Sequence, residues 1–288
     1  MASKTYAEIL ALISVILQDS TTSGQDASNA LFPTAELDLV IPDALTEYSR
    51  YSARQVKHTL TAAASKDLTI TDEVKRDLLW IEALEYEVDE DPKQFRNFSR
   101  FGDVLAIDIS GTPTAGDSVY LYLGKRHVLQ KAIGTTDTAG AIKTEAAAGA
   151  SSLALKSLGT GTINENTALT IAGDSTTYTV TSTATIAANE ATVSITPVLA
   201  ALAAVDAVVT LALATSTLDL DGERLLADYA AGLAAVNKSR SYINAVVLGT
   251  SFTPRDLLAW GENKKARALA EMRNIARSRT RAYEVYSR

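Results

Sequence analysis

The chain contains no cysteine, so disulfides, thiolate nucleophiles and cysteine-ligated metals are excluded. Histidine is almost as scarce. His58 and His127 are the only two, and neither stands in an HExxH or HxxxH spacing that would hold a metal ion. Aromatic residues make up 6% of the sequence, too few to favour the aromatic-lined clefts of carbohydrate-active enzymes. Long apolar runs are missing too. The best candidate lies in MASKTYAEILALISVILQDS, where about nine apolar residues fall well short of the ~20 that span a bilayer. That segment also lacks a basic leader and a small-x-small cleavage site, so the expectation is a soluble, unprocessed protein that meets no membrane.

What is present has globular composition. The 288 residues are 47% hydrophobic and 21% charged, enough to bury a core in one large or two ordinary domains. Charge, however, is unevenly spread. Residues 264–288 hold eight Lys or Arg against Glu271 and Glu284, a net of +6, whereas the whole chain carries −7. Residues 1–263 therefore carry −13, and an acidic protein ends in a basic tail.

Periodicity assigns the elements. Ile9, Leu10, Ile13, Ile16 and Leu17 recur at helical spacing, and Thr5 with Glu8 forms a capping box. Residues 20–30 read as a loop. A second helix is predicted after Pro42, capped by Asp43, with Leu45, Tyr48, Ser52, Val56 and Leu60 as its stripe, which places His58 on a helix. The period then becomes two. In LEYEVD, Leu84, Tyr86 and Val88 alternate with Glu85, Glu87 and Asp89, predicting a strand with acids on its solvent face. Leu105, Ile107 and Ile109, then Val119, Leu121 and Leu123, alternate on either side of GTPTAGD, which predicts a hairpin.

From about residue 133 the composition changes abruptly. No arginine occurs between Arg126 and Arg224, Tyr178 is the only aromatic there, and Thr, Ala and Ser dominate. Short alternating runs (SLAL, ALTI, TYTVT, ATVSI, AVVTLAL) separated by GTG, NEN, AGDS and ANE predict a small all-β module. Helical spacing returns with Leu225, Leu226, Tyr229, Leu233 and Val236 after a capping Asp219 or Asp221. A last helix opens with Thr253 as N-cap, Pro254 at its first position and Asp256 near the positive end of the dipole. Carried on to Tyr286, it would be about 50 Å long. Together these segments predict an α+β protein: a helical body with a small antiparallel sheet, a long C-terminal helix and an inserted all-β domain. Residues 1–132 and 214–288 form the body, and 133–213 the insert.

No catalytic constellation emerges, and no cofactor or metal site is expected. GKRH lacks the upstream glycine and downstream Ser/Thr of a phosphate-binding loop. The acidic run EYEVDEDP lacks the alternating ligands, central Gly and terminal Glu of a calcium loop. Glu82, Glu85 and Glu87 could be cast as glycosidase carboxylates, but sequence supplies no pair separation. Tyr283 and Tyr286 on the last helix fit packing or an interface anchor better than base stacking.

The order of elements is more informative. The ALTEYSRYSARQV helix, the EYEV strand, the GDVLAI strand, the P-x-x-G-D turn before VYLYLGKRHVL and the basic last helix resemble the head-to-tail adaptor (neck connector) proteins of tailed bacteriophages. The likeness covers residues 37–131 and, more loosely, 219–288. The 133–213 segment departs from compact adaptors and is similar to a β module recurrent in phage virion proteins.

The resemblance implies a structural virion protein rather than an enzyme. It implies a ring, commonly of twelve subunits, between the portal and the tail or next neck protein (stopper or tail terminator). Such a ring lines the conduit through which genomic DNA passes without specific binding, and it assembles in the host cytoplasm. The basic tail would then be the portal anchor, through Arg273, Arg277, Arg279, Arg281, Tyr283, Tyr286 and Arg288. Two other readings stay open: a DNA-binding oligomer that holds phosphates with the tail, and a decoration or tail protein.

Overall fold

A computed structural model describes residues 4–19, 31–214, 216–242 and 253–278. The chain divides into two compact units, Met1–Ile9 with Val128–Leu218, and Leu10–His127 with Asp219–Arg288. Helix α1 (Tyr6–Ile16) runs across that division. Its capping box forms as the sequence predicts: the Thr5 N–H donates to Glu8 Oε2 at 2.7 Å and the Glu8 N–H to Thr5 Oγ1 at 3.3 Å.

The larger unit is not the helical body that the sequence predicts. It holds α2 (Thr34–Tyr51), α3 (Asp72–Lys75), α4 (Leu220–Tyr242) and α5 (Pro254–Ser278) together with two antiparallel sheets. The first sheet has the order β1-β7-β3-β4, from β1 (Arg54–Thr61), β7 (Ser118–Lys125), β3 (Leu78–Tyr86) and β4 (Phe95–Arg96). The second has the order β2-β6-β5, from β2 (Asp67–Thr69), β6 (Val104–Ile107) and β5 (Phe98–Phe101). Leu60, Leu84, Val119, Leu121 and Leu123 of the first sheet and Leu68, Leu105 and Ile107 of the second share one buried core.

Two sequence expectations fail in this unit for identifiable reasons. Helix α2 begins at Thr34 and carries Pro42 within it, while Val56, His58 and Leu60 lie on β1. Residues 54–61 satisfy both periods, because Val56 and Leu60 are four apart and Val56, His58 and Leu60 also alternate. Pairing along all of β7 decides for the strand. The predicted hairpin of residues 105–109 with 119–123 is likewise absent. β6 pairs with β2 and β5, and β7 with β1 and β3, so the GTPTAGD turn carries the chain from one layer to the other.

Helices α4 and α5 form an antiparallel pair whose contact depends on missing side chains. Leu225, Leu226, Ala227, Ala230, Ala231, Ala234, Ala235 and Val236 of α4 are buried. At the crossing, a Cβ on Gly232 would stand 2.8 Å from both the Gly261 carbonyl oxygen and the Lys265 nitrogen. A Cβ on Gly261 would in turn meet the Gly232 carbonyl oxygen at 2.8 Å. Asp219 caps α4, accepting from the Gly222 N–H at 2.7 Å.

The smaller unit is a closed barrel, β11-β12-β14-β9-β8-β15. Its strands are β8 (Ala139–Ile142), β9 (Ser152–Lys156), β11 (Ala168–Ile171), β12 (Thr177–Val180), β14 (Ala191–Thr196) and β15 (Val208–Ala212), with a separate pair β10 (Thr162–Ile163) and β13 (Ala184–Thr185). Closure removes free strand edges, which a Thr/Ala-rich sequence with few charges could not otherwise protect. Tyr178, its one aromatic, is fully buried; its hydroxyl donates to Asp174 Oδ2 at 2.5 Å and accepts from the Ala200 N–H at 3.0 Å. Where the barrel begins and ends the chain meets itself: the Val128 N–H donates to Thr217 Oγ1 at 2.8 Å and the Thr217 N–H to the Val128 carbonyl at 3.2 Å.

Adjacent ends make an insertion removable. Replacing residues 135–214 with a short Gly/Ser linker is expected to leave a body that unfolds in one cooperative step. Near-UV circular dichroism checks it, since loss of the fixed aromatic signal would mean that the barrel is needed for the body's core.

Candidate functional site

The sequence directs attention to α5. Thr253 caps it as expected, with Thr253 Oγ1 donating to Asp256 Oδ2 at 2.6 Å and the Asp256 N–H returning to Thr253 Oγ1 at 3.2 Å. The Thr253 hydroxyl and N–H hold the Asp256 carboxyl below the usual aspartate range. Lys264 pairs with Asp228 of α4 at 2.9 Å. Ala268 and Met272 of this helix are buried, so their side chains serve the protein's own packing. Arg267, Glu271 and Arg273 are exposed. Arg277 lies on the helix, and Arg279, Arg281, Tyr283, Tyr286 and Arg288 lie outside the described residues.

Both histidines sit in the strand-rich layer. His127 follows β7, its N–H donating to Ser49 Oγ at 3.0 Å and its Nε2 lying 2.7 Å from the Ser52 carbonyl, with the Tyr48 ring 5.4 Å away. This ties the end of β7 to α2. His58 stands on β1 opposite Leu121.

The acids of LEYEVD do not all face solvent, which corrects the simple alternation. Glu85 is 1% exposed, accepting from the Tyr122 hydroxyl at 2.6 Å and from the Asp89 N–H at 3.2 Å, with Lys93 Nζ 3.9 Å away. Its neighbours bury it: Lys93 also donates to the Tyr122 oxygen at 3.1 Å, and Phe95 meets the Tyr122 ring edge-on at 5.8 Å. Tyr120 donates to Asp89 at 3.0 Å beneath Lys57, whose ammonium lies 3.4 Å from the ring centroid. Glu87 pairs with Arg96. The network fixes the loop after β3. Among the described residues no three His, Asp or Glu groups converge to hold a metal ion, and no helix is long and apolar enough to cross a membrane.

The tyrosines of this network give a pH signature. Burial first, and the bond to Glu85 second, raise the Tyr122 phenol above its ordinary value; Tyr86 is raised by burial and by Asp117, to which it donates at 2.8 Å. A raised phenol stabilises the fold fully below about pH 10, and that contribution is lost as pH climbs through the folded-state value. The urea midpoint is therefore expected to fall between pH 9 and pH 11 more steeply in the native protein than in Tyr122→Phe. Parallel slopes would remove Tyr122 from the account.

Compared with protein-family profiles, curated proteins and solved structures, the chain matches none. The site therefore rests on geometry alone. One feature of that geometry escaped the sequence reading: Arg54, Arg76, Lys125 and Arg126 come together at the end of the four-stranded sheet where β1 and β3 begin and β7 ends. Three separate stretches supply them, so only the strand register could have joined them.

Proposed function

We propose that the protein is a structural component of a tailed-phage virion, a head-to-tail adaptor whose ring lies in the neck between the portal and the tail or next neck protein. One observation supports this most. The segments that carry the resemblance, from α2 through β7 and then α4 and α5, belong to one compact unit, although residues 128–218 interrupt them in sequence. An adaptor that has acquired a barrel has this organisation. The acidic remainder of the chain suits a conduit wall, since like charge keeps passing phosphates from sticking. The basic tail beyond α5 suits an anchor in an oppositely charged assembly, where arginine forks select carboxylates.

A pull-down on purified portal protein, paired with a duplex gel shift across a salt series, tests the reading. Portal capture with weak duplex binding is expected. Tight duplex binding that weakens steeply with salt, without portal capture, would make the protein a DNA-binding oligomer instead.

A further inference from the structure

The barrel wears its least polar sequence on its surface. Between β14 and β15 the chain reads PVLAALAAV, residues 197–205, without one polar side chain. Leu199 and Ala203 turn into the core, whereas Val198, Leu202 and Val205 are 53%, 59% and 47% exposed and the rest of the stretch is exposed as well. Connections of this kind normally carry Gly, Ser, Asn or Asp, whose groups satisfy water and the local backbone. The connection between β8 and β9 continues the surface, since Ala147, Ala148 and Gly149 are also exposed. The two are fastened to each other. The Gly149 N–H donates to the Leu199 carbonyl and the Leu199 N–H to the Ala150 carbonyl, both at 2.8 Å. Ala146 and Ala203 exchange N–H donations at 3.1 and 2.9 Å, and the Ala200 N–H donates to the Tyr178 hydroxyl at 3.0 Å. The outward side chains therefore stand on a fixed frame, which needs little ordering to bind.

The chemistry of this patch selects its partner. Lys143 pairs with Glu190 and Lys156 with Asp206, both at 2.5 Å, and Glu145 is an exposed acid at the border. Residues 127–223 contain no arginine, and their one aromatic, Tyr178, is buried. Nucleic acid and anionic lipid call for cations, and a bilayer interface for exposed aromatics. An apolar protein surface remains. The exposed parts of residues 146–150 and 197–205 cover about 600 Å², the upper end of what the largest patch of a monomer shows. The large apolar side chains exposed elsewhere, Val15, Leu39, Trp80, Phe101, Leu220 and Trp260 among them, each stand on a different element. Among the described residues, the surface of this chain that matches the patch in extent is the patch itself. Two of them face to face would bury about 1,200 Å², the threshold of a stable specific interface.

We propose that the apolar end of the barrel, residues 146–150 and 197–205, docks on the same end of a second copy of this chain about a two-fold axis. A surface that meets its own image must be self-complementary, and a patch without charge meets its image without opposing like charges. The inference goes beyond the neck reading and does not rest on it, because the pair uses no residue of the larger unit, whose ring contacts stay available. An interface at the threshold area gives association that depends on concentration: dilute protein is monomeric and concentrated protein pairs. Removal of apolar surface from water drives the contact, so sulfate strengthens it.

Sedimentation equilibrium of the full chain over a concentration series, at low and high sodium sulfate, tests it. The native chain is expected to pass from monomer to dimer as concentration rises, and more readily in high sulfate. Leu202→Asp should weaken pairing by about tenfold or more, whereas Phe101→Ser, which changes an exposed apolar side chain outside the patch, should leave it unchanged. The absence of cysteine supplies a second readout that removes no contact. Ala201→Cys treated with a short bismaleimide should give a covalent dimer, and adding Leu202→Asp to that chain should suppress it. Monomer at every concentration, pairing that Leu202→Asp leaves intact, pairing that weakens in high sulfate, or no covalent dimer from Ala201→Cys would each overturn the proposal. So would flotation of the native chain, and not of Leu202→Asp, with phosphatidylcholine vesicles, which assigns the patch to a bilayer.

Discussion

Replacing Gly232 with leucine is expected to destabilise the larger unit by about 3 kcal/mol, at the upper end of the usual cost of overpacking. The reason is that the new side chain meets backbone. A Cβ alone would stand 2.8 Å from the Gly261 carbonyl oxygen and the Lys265 nitrogen, and neither can swing aside as a flexible side chain would. The helices must separate, and separation opens the packing around Ala235, Val236, Ala268 and Met272, all buried. For a unit of this size that corresponds to a fall of roughly 6 to 12 °C in melting temperature. Gly111→Ala is the control, since a Cβ there meets nothing within 4 Å. Equal melting temperatures for Gly232→Leu and the native protein would mean that α4 and α5 are not held at this crossing.

The second large effect concerns the tail. Ending the chain after Ser278 removes Arg279, Arg281, Tyr283, Tyr286 and Arg288, and is expected to abolish portal capture while the melting temperature stays within about 2 °C of native. The cut is placed there because α5 extends to Ser278 and Met272 is buried, so an earlier end would also damage the fold. An arginine pair open to solvent contributes about 0 to 1 kcal/mol, so in the proposed anchor the two tyrosines would supply most of the binding. Tyr283→Ala with Tyr286→Ala should therefore weaken capture more than any single arginine change. Capture that survives the truncation would take the basic tail out of the interface.

Local signals were legible wherever one short segment settled its own geometry. Thr5 with Glu8 and Thr253 with Asp256 close the caps they spell out, and the alternating runs of residues 153–212 fall on barrel strands. What was illegible depended on distant partners. Residues 54–61 fit a helix and a strand equally well until β7 lies beside them. Glu85 looks like a solvent-facing acid until Tyr122, Lys93 and Phe95 cover it, and these come from β7 and from the loop and strand that follow β3. Closure of the barrel depends on β15 pairing with β11 across some forty residues. The basic corner has the same origin, since register alone sets Arg54 against Lys125.

The adaptor assignment meets its most direct test in electron microscopy of the assembled neck, with an antibody fragment or tag marking this chain. The account predicts a single ring of this protein, coaxial with the portal and open at its centre, with neighbouring copies related by rotation about the channel axis. A compact two-fold dimer in the particle, or the chain found on the capsid surface or along the tail and not beneath the portal, would contradict it.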